Sequence, residues 1–366
     1  MSDTSIYLRL LSEVVLAPRA CPEPSDADSS SSTWQQCSNL SLEDLKQLES
    51  LAASNHVVLR FFEPLRQILA AQGKTEQAAW AAVVVEGERA RIDHALGFLE
   101  QICEKLGRDG CPVTIIKSLD HWPDLGSDLD LYTDANAARV IALMSLHFQA
   151  RPDLRSWGDR LANKWNFVVP GLPELVEVHG GRLGQMGEQI AIPRSLSARA
   201  RNIQLGSRWF PVAAPEDRII ISTLQRMYRH FYIRLCDIVD NAELIESGAV
   251  DFGYLRSLSS AAGLWPGIAT YLTIVSEYVE RYRGVGLALP ASVRRSAKFG
   301  ADEIQYRKQF LRVPIVPHSA GLFARELKSL LFKGDFRNGL RLGLMPCLAT
   351  AAALEYKFTG SDKGVW

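Results

Sequence analysis

The stretch Gly126-Ser127-Asp128-Leu129-Asp130-Leu131-Tyr132-Thr133 most restricts what this chain can form. Charged and apolar residues alternate directly after a Gly-Ser turn, and successive side chains of a strand point to opposite faces. Leu129 and Leu131 therefore enter a core, while Asp128 and Asp130 share the other face. Two like charges side by side repel, so a strand that pairs them asks for a cation between them. A solvated strand face beginning at a turn is the alternative, because Gly-Ser-Asp is also good turn chemistry.

The segments around this strand set the fold class. Residues 1–20 have helical spacing and run into a Ser/Pro/Asp-rich stretch that reads as a loop at about 21–39. Helical patterning resumes at Ser41, where Glu43 and Asp44 suggest a capped first turn, and continues to about residue 104. Gly107 and Gly110 stop it. From residue 105 the texture is mixed: a β-branched run at 111–117, the alternating strand at 127–133, a helical segment at 136–150, and strand-like runs at 165–169 and 174–180. Glu188–Pro193 reads as a further short strand. After Pro215 the pattern is almost wholly helical, with Glu216 and Asp217 in a first turn as a helix N-terminus favours. The expected class is α+β: a small mixed β-sheet domain at 105–212, helices on one side, between a helical N-terminal region (1–104) and a helical C-terminal region (213–366).

The run from Cys111 to Thr133 resembles the signature of the nucleotidyltransferase superfamily, whose fold is that of DNA polymerase beta. That signature is a strand, a tight turn, a variable loop and an Asp-x-Asp strand. Val113–Ile116 stand for the strand, Lys117-Ser118 for the turn and Asp128-Leu129-Asp130 for the pair, with Lys117 where the superfamily usually has Gly. With Val176-Glu177-Val178-His179 and Pro215-Glu216-Asp217 following in order, residues 105–245 are similar to a little-characterised bacterial nucleotidyltransferase family with a Glu-x-His strand and a later helix that opens on proline and Glu-Asp.

The resemblance implies Asp128, Asp130 and Glu177 as catalytic carboxylates and ligands of Mg2+, or of Mn2+ in its place. Hard oxygen ligands suit such an ion, which keeps water and is shared with substrate phosphates. It further implies Ser118 and Lys117 on the β- and γ-phosphates, with His179 orienting Glu177 or the substrate. Arg229 is a candidate cation for the triphosphate, although its aromatic-rich helix also reads as an ordinary buried face. Glu177 and His179 equally admit structural roles on a half-exposed strand. Asp120 and His121, in the intervening loop, read as turn residues outside the catalytic set.

The implied reaction moves a nucleoside monophosphate from a nucleoside triphosphate to a hydroxyl on a small molecule, a peptide or an RNA end. The alternative is a catalytically inactive nucleotide-binding or protein-interaction module on the same fold. With 41 basic and 41 acidic residues, the formal charge of zero argues against coating DNA or an acidic membrane. The basic stretch 294–312 reads as a solvated face or as a contact for an acidic acceptor. No apolar run spans a bilayer and no secretory pattern opens the chain, so a cytoplasmic location is expected. Six scattered cysteines without a CxxC pair suggest neither a zinc site nor a disulfide framework.

Overall fold

A computed structural model describes residues 3–17, 28–307 and 309–359. The N-terminal region is helical: α1 (Asp3–Val15), α2 (Asp28–Ser38), α3 (Leu42–Ser54), α4 (Val58–Ala71) and α5 (Thr75–Arg108). The capped first turn expected at Ser41 is present. Ser41 Oγ accepts from the Asp44 amide, and the Asp44 carboxylate accepts from the Ser41 amide. The loop expected at about 21–39 needs correction, because α2 takes up its second half; residues 21–27 lie outside the described ones. The serine-rich composition hid a helix that Trp34 and Cys37 pin against the helical core.

Along α5, Ala81, Val85, Ile92, Ala95, Leu96, Leu99, Ile102 and Leu106 form one buried stripe at helical spacing. At about 1.5 Å per residue its 34 residues run some 50 Å, from the N-terminal helices to the sheet.

The sheet domain comprises β1 (Thr114–Ile115), β2 (Asp128–Thr133), α6 (Ala137–Phe148), β3 (Arg151–Pro152), α7 (Trp157–Ala162), β4 (Lys164–Val168), β5 (Leu175–Gly180), α8 (Leu196–Arg199), β6 (Arg201–Leu205) and β7 (Arg208–Val212). The strand order is β3-β4-β5-β2-β1-β7-β6. β2 pairs in parallel with β5 and β1 with β7, and the other pairings are antiparallel. This sheet is larger than expected from sequence. The hairpin β6–β7, turning at Gly206 with φ 61°, escaped the reading, and residues 188–193 give one isolated bridge, Leu183 to Gln189, in place of a strand.

The C-terminal region holds α9 (Pro215–Thr223), β8 (Tyr232–Ile233), α10 (Leu235–Glu246), α11 (Phe252–Ala262), α12 (Trp265–Arg283), α13 (Ala291–Ser296), β9 (Gln305–Arg307), β10 (Phe310–Arg312), α14 (Ala320–Phe332), α15 (Phe336–Gly343) and α16 (Met345–Thr359). It is not wholly helical: β8, β10 and β9 form a small antiparallel sheet that takes up the end of the basic stretch. The helix entered at Pro215 also does not run through to Glu246. It widens into a π-helical turn over Leu224–His230 and ends at Phe231, whose φ is 53°. Such wide turns are frequent at functional sites.

The Glu216-Asp217 pair has a structural partner. Arg199 donates to both Asp217 oxygens at 3.0 and 3.1 Å and pairs with Glu216, and Glu216 also accepts from the Asp251 amide at 2.8 Å. Burial, with Glu216 beside it, pushes the Asp217 carboxyl up to about 6 against the pull of Arg199. Arg199→Met keeps the packing over the Tyr254 ring but leaves both acids unpaired, at an expected cost of about 3 kcal/mol at pH 7.5. A folded-state carboxyl pKa raised above its unfolded value contributes stability at low pH that is lost as pH rises through it. The deficit of Arg199→Met, measured by urea unfolding, is therefore expected to be largest above pH 7 and to shrink towards pH 5.

Candidate active site

The register between β2 and β5 builds the site. Asp130 lies opposite Glu177, and Tyr132 opposite His179, so these side chains share one face. Leu129 and Leu131 point the other way and are fully buried. β5 and β2 are the third and fourth of the seven strands, so the site lies at the middle of the sheet. β4 supplies the same face of β5 from its far side, with Lys164 opposite His179.

Five charged side chains and an imidazole meet there. The Lys117 ammonium contacts the Asp130 carboxylate closely and lies 3.6 Å from Glu177 Oε1. Lys164 Nζ lies 2.8 Å from Glu177 Oε2 and 3.1 Å from Asp159 Oδ1. His179 Nε2 lies 2.7 Å from Glu177 Oε1 and 3.8 Å from Asp130 Oδ1. The chain itself thus provides cations for Asp130 and Glu177, though not for Asp128. Burial opposes ionisation of Glu177, but Lys117, Lys164 and His179 outweigh it and hold its carboxyl well below the usual range. Burial likewise opposes the charge of Lys117, yet Asp130 and Glu177 hold its pKa above the ordinary value. Asp128 is different. No ion pair reaches it among the described residues, and burial together with the charges of Asp130 and Glu177 pushes it up to about 6.

The turn that delivers Lys117 is strained. Lys117 has φ 75° and ψ −55°, and the Ser118 amide donates to Ile116 O at 3.0 Å, which makes a γ-turn of the rare positive-φ type. A side chain in such a conformation costs on the order of 1–3 kcal/mol and persists only where its surroundings impose it. Ser118 is tied into the same frame. Its hydroxyl accepts from the Asp130 amide at 2.6 Å and lies 3.3 Å from Asp128 O, so in this state it fixes the turn to β2.

Asp124, just before β2, accepts from the Leu59 and Arg60 amides at 2.7 and 3.2 Å and so caps the first turn of α4. Arg60 and Arg91 hold the backbone oxygens of Trp122, Leu125 and Gly126.

The π-helical turn forms the roof. Arg226 is 1% exposed, with Nε 2.7 Å from Asp237 Oδ2 and Nη1 without a hydrogen-bond partner. It lines a narrow cleft together with Lys117, Ser118, Asp128, Asp130 and Arg234. Arg229 lines an adjoining narrow cleft with Lys117 and His179. Between the roof and the loop, His121 is hydrogen-bonded through Nδ1 to Asp240, with Cys236 Sγ 3.9 Å from Nε2 and His56 stacked at 5.5 Å. Burial opposes its charge, but Cys236 and Asp240 raise its pKa well above the ordinary value.

The structure therefore brings Lys117, Asp130, Glu177 and His179 into direct contact, with Asp128, Ser118 and Arg229 on the cleft walls. Sequence reading missed Lys164, Asp159, Arg226 and His121. Of these, His121 sat within the motif loop, and Lys164 shares β5's alternating face once the register is known.

As a metal site, the donor set is apt in kind. One oxygen each of Asp130 and Glu177 and a His179 nitrogen lie within 4.8 Å of one another, whereas Asp128 does not join that grouping. Two carboxylates and one imidazole suit a hard or borderline divalent cation. Lys117 occupies their midst, so the residues fit such an ion once Lys117 withdraws.

No protein-family model matches the chain, and no curated protein matches it. Among solved structures it is similar to the crystal structure of an antigenic nucleotidyltransferase-like protein from Paracoccidioides brasiliensis, with 12% identity over 56% of this chain and 97% of that one and a TM-score of 0.34. That likeness is distant. No helix among the described residues is long and apolar enough to cross a membrane.

Proposed function

We propose that the chain transfers a nucleoside monophosphate from a nucleoside triphosphate to a hydroxyl acceptor, in a reaction dependent on Mg2+ or Mn2+. The observation that carries this reading is Asp130 in register with Glu177, facing a cleft whose other wall is cationic. In this reading Asp130 and Glu177 would hold the ion, which would supply charge stabilisation at the α-phosphate. The acceptor oxygen bonds to the α-phosphorus, the bond to the bridging oxygen of pyrophosphate breaks, and the hydroxyl proton passes to Asp128, the carboxylate left without an ion pair. Arg226 Nη1, which lacks a partner, and Arg229 take phosphate oxygens, where a guanidinium pairs well with oxyanions. Ser118 holds the turn, and His179 orients Glu177.

Binding tests the reading first. The wild-type protein and Asp128→Ala/Asp130→Ala are unfolded thermally with each ribonucleoside triphosphate, with and without Mg2+. A triphosphate at a hundred times its Kd stabilises the folded state by about 2.7 kcal/mol. A Mg2+-dependent rise in midpoint that the double variant loses is expected. A rise equal in both proteins, or in neither, counts against it.

One observation favours a second reading. Lys117 already fills the space between Asp130 and Glu177, as suits a module that binds nucleotide without turnover. Bound triphosphate with no pyrophosphate release on addition of any acceptor class would decide for it.

A further inference from the structure

Lys117 has three properties that an ordinary buried ion-pair lysine lacks. Its ammonium sits among the side chains best suited to a divalent cation, touching Asp130 and 3.6 Å from Glu177. Its backbone is held at φ 75° in a γ-turn that glycine would form without steric cost. And it borders three adjoining clefts with room for water-sized groups, about 20, 40 and 50 Å³, so its ammonium has space beside it on more than one side. A lysine ammonium is a point charge on a flexible four-carbon stem, able to change partners without moving the backbone.

On these grounds we propose that Lys117 is an exchangeable resident cation: it fills the carboxylate site while the cleft is empty and moves to the triphosphate when a divalent ion enters. The inference rests on the nucleotidyl-transfer reading and adds its regulation.

The charge balance explains the coupling. With Lys117 in place, Asp130 and Glu177 already have Lys117 and Lys164 as counterions, so a bare divalent ion gains little by entering. It must also displace an ammonium whose other carboxylate neighbours across these clefts are Asp128 and three acids already paired: Asp120 with Arg218, Asp237 with Arg226, and Asp240 with His121 and Arg60. A triphosphate supplies a receiver of higher charge. The ion and the nucleotide then bind together more tightly than either does alone, and by linkage each raises the other's affinity by the same factor.

Mn2+ binding, read by electron paramagnetic resonance and calorimetry, tests this without reference to turnover. The variants are Lys117→Met, Lys117→Gly and Lys117→Arg. Lys117→Gly removes the positive-φ strain together with the charge and so keeps a folded variant in hand, checked by its melting curve. Without nucleotide, Lys117→Met and Lys117→Gly are expected to bind Mn2+ at least tenfold more tightly than wild type, with Lys117→Arg resembling wild type. A triphosphate analogue with carbon bridging the α- and β-phosphates should raise Mn2+ affinity at least tenfold in wild type and by less in Lys117→Gly. Wild type binding Mn2+ alone as tightly as Lys117→Gly would overturn the proposal. So would an analogue effect of the same size in both. Failure of the transfer reading looks different: Mn2+ exchange behaves as stated, but no acceptor releases pyrophosphate.

Discussion

Asp130→Asn is expected to lower pyrophosphate release by about 10²–10³-fold, the loss seen when one preorganised group facing a developing charge is removed. The substitution keeps the shape of the side chain, and the backbone amide of residue 130 still donates to Ser118 Oγ. β2 therefore keeps its register. What changes is charge: Lys117 loses its close partner, and Glu177 alone faces it. A melting temperature within a few degrees of wild type, alongside the lost turnover, would separate chemistry from folding. Turnover within tenfold of wild type would remove the Asp130–Glu177 pair from the reaction centre.

The largest effect on stability is expected from Arg226→Met, at about 3–5 kcal/mol, the range for breaking a buried ion pair by removing one partner. Arg226 is the largest fully buried side chain among the described residues. Its loss strands Asp237, which is 3% exposed and also accepts from the Arg234 amide at the start of α10. Methionine fills most of the volume but cannot meet that carboxylate. Urea unfolding of Arg226→Met, Asp237→Asn and the double variant closes a cycle that isolates the pair. If the double variant is no more stable than the sum of the single losses predicts, the two residues are not coupled and the roof is held by packing alone.

The local part of this site was legible in the sequence, and its long-range part was not. Alternation around Asp128 and Asp130 fixed which face each side chain takes, because that period is a property of a single strand. Glu177 and His179 carried the same signal. That Asp130 stands opposite Glu177 depends on strand register, which spacing alone does not give. Lys164, Asp159 and Arg226 arrive from β4, α7 and the π-helical turn, and each looks like an ordinary surface residue until the chain is folded. The β6–β7 hairpin did carry a sign, the Gly206-Ser207 pair between two alternating runs. α2 carried little, since its serines favour turns when read locally. For the break at Leu224–His230 no residue in the stretch announces a stop, and tertiary contacts override the helical pattern.

The loop from Ser118 to Ser127, fastened by Asp124 to α4 and by Arg60 and Arg91 at its carbonyls, joins the two halves of the molecule mechanically. Displacing this floor would uncap a helix of the N-terminal region, so that region acts as a foundation for the cleft. The ceiling is built differently, from a wide helical turn and the left-handed Phe231, and it is tied down by the buried pair of Arg226 with Asp237.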